Sequence, residues 1–519
     1  MILTYLMTPT LHKLLRILCL LFIFFQIALS LVFIFHKDIY FHTDIARDFL
    51  LIEDIVRNHH FTLLGPRSGG IPGVFHGPLW LYVSVPAFIF LGGDPSGFGV
   101  FWFVLGILYL VVVYLITHKV YTRDTALIAT TLASGMVPPI VGNLFNPFGA
   151  VIFAPILFYF GYVYWRTFKA RFLILFLFFM GICIQFQMAW GGPMLVLALP
   201  PIMYRIFRYK KWSHLLMFAV LSIPLSSFVI FDLRHSFLQT FAVLKHITGG
   251  NGEYGTVSPL VFLTSRLRGM LMDGWYITRA LPGYLSLLLF TSIVVVLHRS
   301  KTRLDEKVKM NLKIFLYFYT GFWLLTFLFR GVIWDYYYWP FAPLVITMLS
   351  ALIHHFPRWF MIMVLTVLCT VNIYTNIQFV RGFSDFSAKD VSSWLFSKEV
   401  AEWVYTDATE PGFGYFIFTP DQYGYSQRYA MNYIQTVTKA KVAKPFAKSQ
   451  ITYLLIAPAP TYRPELNGGE WKRDKLGIVR PADKVKSYPN GYVIEKYLLS
   501  PDELKVPADP NLIHDLTFR

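Results

Sequence analysis

"GPLWLYVSVPAFIFLGG", residues 77–93, is apolar almost throughout and carries a proline at position 86. Its reading sets the topology of everything that follows. Counted as a membrane span, it puts "HKVYTRD" (118–124) on the outer face, together with every later basic cluster of the apolar region. Read as a short interfacial or re-entrant helix, it puts "HKVYTRD", "WRTFKAR" (165–171), "RIFRYKKW" (205–212), "HRSKTRLDEKVKMNLK" (298–313) and "HHFPRW" (354–359) in the cytoplasm. Short cytoplasmic loops collect Lys and Arg, which favours the second reading. Pro86 and the short apolar length agree with it.

Working outward, the chain of 519 residues is 56% hydrophobic, 18% aromatic and 14% charged. Soluble domains carry about 25% charged residues, so the composition is that of a membrane protein. The net charge of +17 sits largely in clusters between apolar runs. With no nucleic-acid-binding motif present, it excludes nucleic acid as a partner and leaves the lipid bilayer. Cys19, Cys183 and Cys369 lie inside apolar runs without metal-ligand spacing and read as packing thiols. His12, Lys13 and Arg16 precede the run 14–35, which is long enough to span and has no small-residue cleavage site after it. It reads as a retained first helix.

Runs near 14–35, 98–117, 124–141, 149–165, 171–188, 190–207, 213–231, 281–298, 312–329, 338–354 and 358–377 can each span. The predicted fold class is an α-helical polytopic membrane bundle of about eleven transmembrane helices, followed by a C-terminal extracytoplasmic α/β domain. The N-terminus is then cytoplasmic. Residues 1–380 form the membrane module, with external loops 36–97 and 232–280, and 384–519 form the outer domain. In that tail "DVSSWLFSKEVAEWVY" (390–405) has helical spacing. "YFIFT" (415–419) and "ITYLLIAP" (451–458) read as buried strands, and "SYPNGYVIEKYLL" (487–499) as an Asn-Gly hairpin.

Polar residues gather at the external ends of the apolar runs. "HTDIARDFLLIED" (42–54) crowds His42, Asp44, Arg47, Asp48, Glu53 and Asp54 just after the first run. Its spacing predicts an amphipathic helix over 44–57, with Asp44 near its N-terminus, where the helix dipole favours a carboxylate. Two readings stand open: Asp44 as a helix cap beside a solvated Arg47–Asp48 pair, or a functional acidic group. "LLGPRSGGIPGVFHGPLW" (63–80) follows, its glycines allowing close backbone approach. "GNLFNPFGA" (142–150) supplies Asn143 and Asn146, and "QFQ" (185–187) supplies Gln185 and Gln187. "FDLRHSF" (231–237) supplies Asp232, Arg234 and His235, and "FRGVIWDYYYWP" (329–340) supplies Arg330, Asp335 and Tyr336–Tyr338. Polar groups near membrane depth are costly and usually functional. The bland alternatives are capping for His76, interfacial anchoring for Arg234 and Arg330, and an aromatic belt for the tyrosines.

The combination resembles the GT-C superfamily of polytopic membrane glycosyltransferases. These include protein O-mannosyltransferases, lipid A aminoarabinose transferases and oligosaccharyltransferase catalytic subunits. The resemblance lies in Asp-x-x-Arg-Asp at 44–48, "HGPL" at 76–79, the "FNP" turn and the Arg-His loop, within residues 1–380. "HGPL" is similar to the His-Pro-Pro-Leu of the mannosyltransferases (family 39), with Gly77 in place of a proline. The family's first-loop aspartate falls on Asp44, but the second acidic residue that directly follows it in mannosyltransferases is Ile45 here. The carboxylates of the oligosaccharyltransferase second external turn are replaced by Asn143 and Asn146, which argues against metal-dependent chemistry of that kind.

The resemblance implies an inverting glycosyltransferase in the plasma (inner) membrane that uses a polyprenyl-phosphate-linked sugar. The acceptor hydroxyl would lie on a lipid, glycan or protein on the extracytoplasmic side. Asp44 is the expected general base, with Arg47 or Asp48 orienting it. His76, Arg234, His235 and Arg330 are expected to meet the donor phosphate, and Asn143, Asn146, Gln185, Gln187 and Tyr337 to contact substrate. No cofactor and no divalent metal is required on this reading. A transporter or flippase of lipid-linked sugars is the main rival, ahead of a polysaccharide polymerase or ligase and a structural scaffold; it predicts inverted repeats and helices broken at the bilayer midplane, and neither is evident.

Overall fold

The computed structural model describes residues 2–68, 71–248, 258–273, 304–329, 331–421, 423–439, 441–461 and 463–512, with scattered positions between 284 and 295. The principal helices are α1 Ile2–His36, α2 Thr43–Arg57, α3 Leu79–Phe90, α4 Phe98–Val120, α5 Arg123–Ser134, α6 Val137–Gly142, α7 Pro147–Thr167, α8 Ala170–Phe186 and α9 Met188–Arg208. They continue as α10 Ser226–Arg234, α11 Leu238–Thr248, α12 Pro259–Arg268, α13 Glu306–Leu325, α14 Ala342–Ile353, α15 Arg358–Phe386, α16 Trp394–Asp407 and α17 Tyr425–Thr438. The chain divides into two compact units. One comprises residues 1–32, 62–83 and 102–380; the other comprises 33–61, 84–101 and 381–519. The tail therefore does not stand by itself: residues 33–61, including α2, and 84–101 belong to the same unit.

In the first unit, Leu11–His36, Pro95–Val120, Pro147–Thr167, Glu306–Leu328 and Arg358–Phe386 are the described helical stretches long and apolar enough to cross a membrane, several of them running on into the second unit. The bent pair Ser213–Ser222 and Ser226–Arg234, with 72° between its halves, makes a sixth if it is one broken span. The protein is thus a multi-pass membrane protein, although length and composition alone do not reproduce eleven spans. Local chemistry explains part of the difference. The run 124–141 is cut in two because α5 stops before Gly135 and a new turn begins at Val137, Pro138 and Pro139. The run 338–354 is a helical segment of 15 residues, Trp339–Ile353, whose first turn is 3-10. The run 281–298 lies largely outside the described residues. α3 has 12 residues with Pro86 inside it. At 1.5 Å per residue that is about 18 Å, short of a hydrocarbon core of about 30 Å.

Polar contacts tie this bundle together from within. Asn376 on α15 is fully buried and donates to Gln26 Oε1 and to the Gly135 carbonyl, each at 2.8 Å. Amide bridges of this kind are the usual polar glue between membrane helices. In the N-terminal half of α1, Arg16 donates to Asp124 at 3.1 Å and His12 meets the same carboxylate at 2.9 Å.

The second unit contains a five-stranded mixed sheet: β1 Gly412–Phe418, β2 Val442–Pro445, β3 Ile451–Ile456, β4 Lys484–Ser487 and β5 Val493–Leu498, in the order β2-β1-β3-β5-β4. β1 runs parallel to β2 and β3; β5 is antiparallel to β3 and β4. The two expected buried strands and the Asn-Gly hairpin are β1, β3 and β4–β5. Phe416, Leu454, Leu476, Ile478, Tyr497 and Leu499 form the buried core on one side of the sheet. Asp407, at the end of α16, is held by Lys484, by Lys496 at 2.8 Å and by the Tyr453 hydroxyl at 2.8 Å. Burial opposes its ionisation, but these hydrogen bonds prevail and bring the carboxyl down to about 2.

Two features fix α2 within this unit. Its apolar face is buried, with Phe49 against Phe98 (ring centroids 4.4 Å), Phe41 (5.4 Å) and Tyr429 (5.2 Å). Just before it, the fully buried Asp38 accepts five hydrogen bonds: from the Ile39 N–H (2.9 Å), Leu395 N–H (3.1 Å), Ala388 N–H (3.2 Å), Ser387 hydroxyl (2.8 Å) and Ser393 hydroxyl (2.7 Å).

Candidate active site

α2 begins where His42, in extended conformation, turns its ring Nδ1 to accept the Asp44 N–H at 3.3 Å. The cap is therefore His42, and Asp44 occupies the first turn with its carboxylate left for other work. Arg47 sits between two carboxylates, donating to Asp44 Oδ1 at 2.6 Å and to Asp48 Oδ1 at 3.1 Å and 3.3 Å. This overturns the solvated-pair alternative: the Arg47 and Asp48 side chains are only 15% and 5% exposed, whereas Asp44 is 41% exposed. Burial pushes the Asp48 carboxyl up to about 6 against the pull of Arg47, with the Asp44 charge adding to the rise. Asp48 Oδ2 is buried with no hydrogen-bond partner among the described residues. Arg47, although desolvated, is kept firmly charged by Asp48 and Asp44. The triad thus presents one exposed carboxylate, oriented by a guanidinium whose back is held by a buried acid.

The sheet brings further groups to the head of α2. The loop after β1 carries Asp421, which accepts from the Thr43 hydroxyl, from Thr419 and from the Tyr423 N–H (3.1 Å). Gly424, at φ +58, turns the loop into α17. Tyr425 at the head of that helix is buried, and its phenol is pushed up to about 12, with the Arg47 charge acting against the rise. Sequence reasoning passed over Asp421 and Tyr425. The available signal was "YFIFTPDQYGY": a buried strand, then Asp and Gly, then a helix, which is the carboxyl-end loop where α/β sheets place their sites.

One pH effect follows from the Asp48 environment. The folded carboxyl keeps its proton up to about pH 6, against 3.8 ordinarily. Its contribution to stability is therefore present below about pH 4 and lost as pH rises through about 6. Ionised Asp48 holds Arg47, so turnover should fall as pH drops below about 6. An Asp48→Asn variant should be slower at neutral pH and lack that acid limb. A pH–rate profile checks this; identical acid limbs in both proteins would contradict it.

In the first unit, several of the other expected residues are brought together around the Gly/Pro-rich loop. Gly65 donates to the His76 carbonyl at 2.8 Å, and His76 N–H donates to Pro66 at 2.9 Å. Phe75 N–H donates to Gln239 Oε1 at 2.9 Å, joining the loop to the segment carrying Arg234 and His235. Gln185 donates to the Pro224 carbonyl (2.6 Å) and the Ser227 hydroxyl (3.0 Å), leaving its buried Oε1 without a partner among the described residues. A Cβ on Gly77 would fall 2.0 Å from that Oε1. The departure from His-Pro-Pro-Leu thus has a local cause: Gln185 occupies the space a side chain would need. Gly77→Ala should cost roughly 1–3 kcal/mol by overpacking and lower the thermal midpoint in detergent. Gly192→Ala, where nothing lies within 4 Å, should not. Equal midpoints would contradict the assignment.

The remaining expected residues are more dispersed. Asn146 donates to the Phe186 carbonyl at 2.9 Å, and Gln187 donates to the Tyr336 carbonyl at 3.1 Å. Gln187 Oε1, too, is buried without a partner among the described residues. Asn143 stands where α6 ends. Tyr337 is buried in a 3-10 turn, with Phe145 packing on Tyr336 at 5.6 Å. Arg234 is exposed at the end of α10, where Asp232 instead binds the N–H groups of Gln239 and Thr240. His235 stacks on Phe231 at 4.1 Å and donates Nδ1–H to its carbonyl at 2.8 Å. Arg330 lies outside the described residues. Arg266 was not foreseen. It is buried and donates to the carbonyls of Phe329 (2.8 Å) and Gly331 (2.7 Å), which fixes the chain on either side of residue 330. Among the described residues no three His, Cys, Asp or Glu side chains are grouped to hold a metal ion.

A helical membrane bundle joined to a small mixed α/β unit that contains the first charged loop helix is a GT-C-like fold. ArnT from Cupriavidus metallidurans, solved bound to undecaprenyl phosphate, matches at a TM-score of 0.57 and 10% identity over 92% of this chain and 97% of its own. Its apo form matches at 0.56, with the same identity and coverage. The apo oligosaccharyltransferase of Archaeoglobus fulgidus matches at 0.45 and 12% identity, over 82% of this chain and 64% of its own. No protein-family model and no curated protein sequence matches the chain.

Proposed function

We propose that this chain is an inverting membrane glycosyltransferase that moves a sugar from a polyprenyl-phosphate donor to an acceptor hydroxyl on the extracytoplasmic face of the plasma (inner) membrane. The observation that carries the reading is the Asp44–Arg47–Asp48 triad: a half-exposed carboxylate fixed by a buried, charge-locked guanidinium. The likeness of fold to a protein solved with undecaprenyl phosphate supports the donor class. Asp44 takes the acceptor's hydroxyl proton as the oxygen attacks the anomeric carbon, and the bond from that carbon to the phosphate oxygen breaks. Polyprenyl phosphate leaves with the electron pair, its charge met by His76, Arg234, His235 and Arg330. Asn143, Asn146, Gln185, Gln187 and Tyr337 contact substrate. The N-terminus is cytoplasmic, residues 384–519 lie outside, and 77–93 do not span. No divalent metal takes part.

Inversion is read directly by the anomeric configuration of the product in a proton NMR spectrum. A product opposite in configuration to the donor, formed equally well in EDTA, is expected; retention, or loss of turnover in EDTA, sinks the single-displacement, metal-free scheme. Arg234→Ala should raise the apparent KM for the lipid donor, or lower turnover, by about ten- to hundredfold, the worth of one charge-assisted bond. Normal kinetics at limiting donor would make Arg234 an interfacial anchor.

A further inference from the structure

A cavity of about 300 Å³ opens between α7, α8, α9 and α13 of the first unit. Phe158, Phe176, Met194 and Ile202 give it an apolar wall. Charge enters only at its rim. There Lys313 lines it and is exposed, and Trp165 lines it beneath the guanidinium of Arg205, 4.7 Å above the ring. Arg205 also donates to the Trp165 carbonyl, which uses one of the five donors an arginine carries. Two acidic residues stand at the start of α13: Asp305 at its N-cap, and Glu306, which is taken by Lys309 at 2.7 Å. Beyond the rim the chain adds Arg166, Arg171 and Arg208 in the terminal turns of α7, α8 and α9, and Lys169, Lys210 and Lys211 in the adjoining loops.

We infer that this cavity is a binding site for an anionic glycerophospholipid, with an acyl chain between the helices and the phosphate at Lys313 and Arg205. A slot that is apolar within and basic at one end matches a lipid with an apolar tail and an anionic head. An aromatic platform at the rim suits the depth of a headgroup. The site is separate from the amide-rich end of the same helices. Pro147 and Trp165 are eighteen residues apart on α7, about 27 Å at 1.5 Å per residue. With the proposed reaction at that other end, the occupant is a membrane phospholipid rather than the sugar donor; this exclusion rests on the proposed function, whereas the match of the cavity to an anionic lipid does not.

Native mass spectrometry of the full-length protein in mild detergent tests this, with palmitoyl-oleoyl phosphatidylglycerol titrated against phosphatidylcholine of the same chains. One phosphatidylglycerol should be retained per chain, at least about tenfold more tightly than phosphatidylcholine. Lys313→Gln, at an exposed position, should reduce that preference about tenfold, the loss of one charge-assisted bond. Ala198→Leu, which fills the cavity wall, should weaken both lipids. Equal retention of the two lipids, a preference unaltered by Lys313→Gln, or displacement of phosphatidylglycerol by equimolar undecaprenyl phosphate would each overturn the assignment.

Discussion

Asp44→Asn is expected to insert and fold normally and to lose transfer activity by about 10²–10⁴-fold, the usual worth of a general base. The substitution is nearly isosteric, and its amide oxygen still accepts the 2.6 Å hydrogen bond from Arg47. Because the side chain is 41% exposed, no buried charge is stranded, and Arg47 remains paired with Asp48. What disappears is the capacity to take a proton. Turnover of purified variant and wild type on the same polyprenyl-phosphate sugar measures the effect; unchanged turnover would remove Asp44 from the mechanism.

The largest structural effect should come from Asp38→Ala. This carboxylate satisfies three backbone N–H groups and two hydroxyls in a fully buried setting. Its removal leaves several of those donors unpaired, at roughly 1–3 kcal/mol each and less than additively. A loss of about 4 kcal/mol is expected, enough to expose the 387–395 segment to protease in the folded membrane protein. Asp38→Asn should be intermediate, because it keeps one acceptor but turns an NH₂ toward donors. An unchanged cleavage pattern in Asp38→Ala would contradict this account.

Much of this was legible in the sequence, for identifiable physical reasons. The tail strands announce themselves because "YFIFT" and "ITYLLIAP" are unbroken apolar runs beside turn residues, as buried strands must be. The α2 helix is legible from its period, and its acidic head from the dipole. Burial is not written in that period. The surface-pair reading of Arg47 and Asp48 stays open beside the functional one because nothing local says that these side chains are buried, in a unit that also takes in the distant residues 381–519. Asp38 and Asp421 were invisible for the same reason: the contacts that tie them across the unit, Ser387 and Ser393 to Asp38 and Thr43 to Asp421, span more than 300 residues. The span count is the weakest part of the sequence reading. Hydropathy registers apolar composition, whereas Gly135, Pro138 and Pro139 decide where a helix stops.

The central claim is that the lipid-linked sugar is cleaved, not merely moved. The most direct measurement follows wild type and Asp44→Asn in proteoliposomes loaded with a polyprenyl-phosphate sugar and envelope acceptor lipids, with free polyprenyl phosphate as the readout. Polyprenyl phosphate appearing with the wild type, in step with glycosylated acceptor and nearly absent with Asp44→Asn, is the predicted result. Intact donor crossing to the other leaflet with no polyprenyl phosphate released, equally in both proteins, would contradict it and make the protein a flippase.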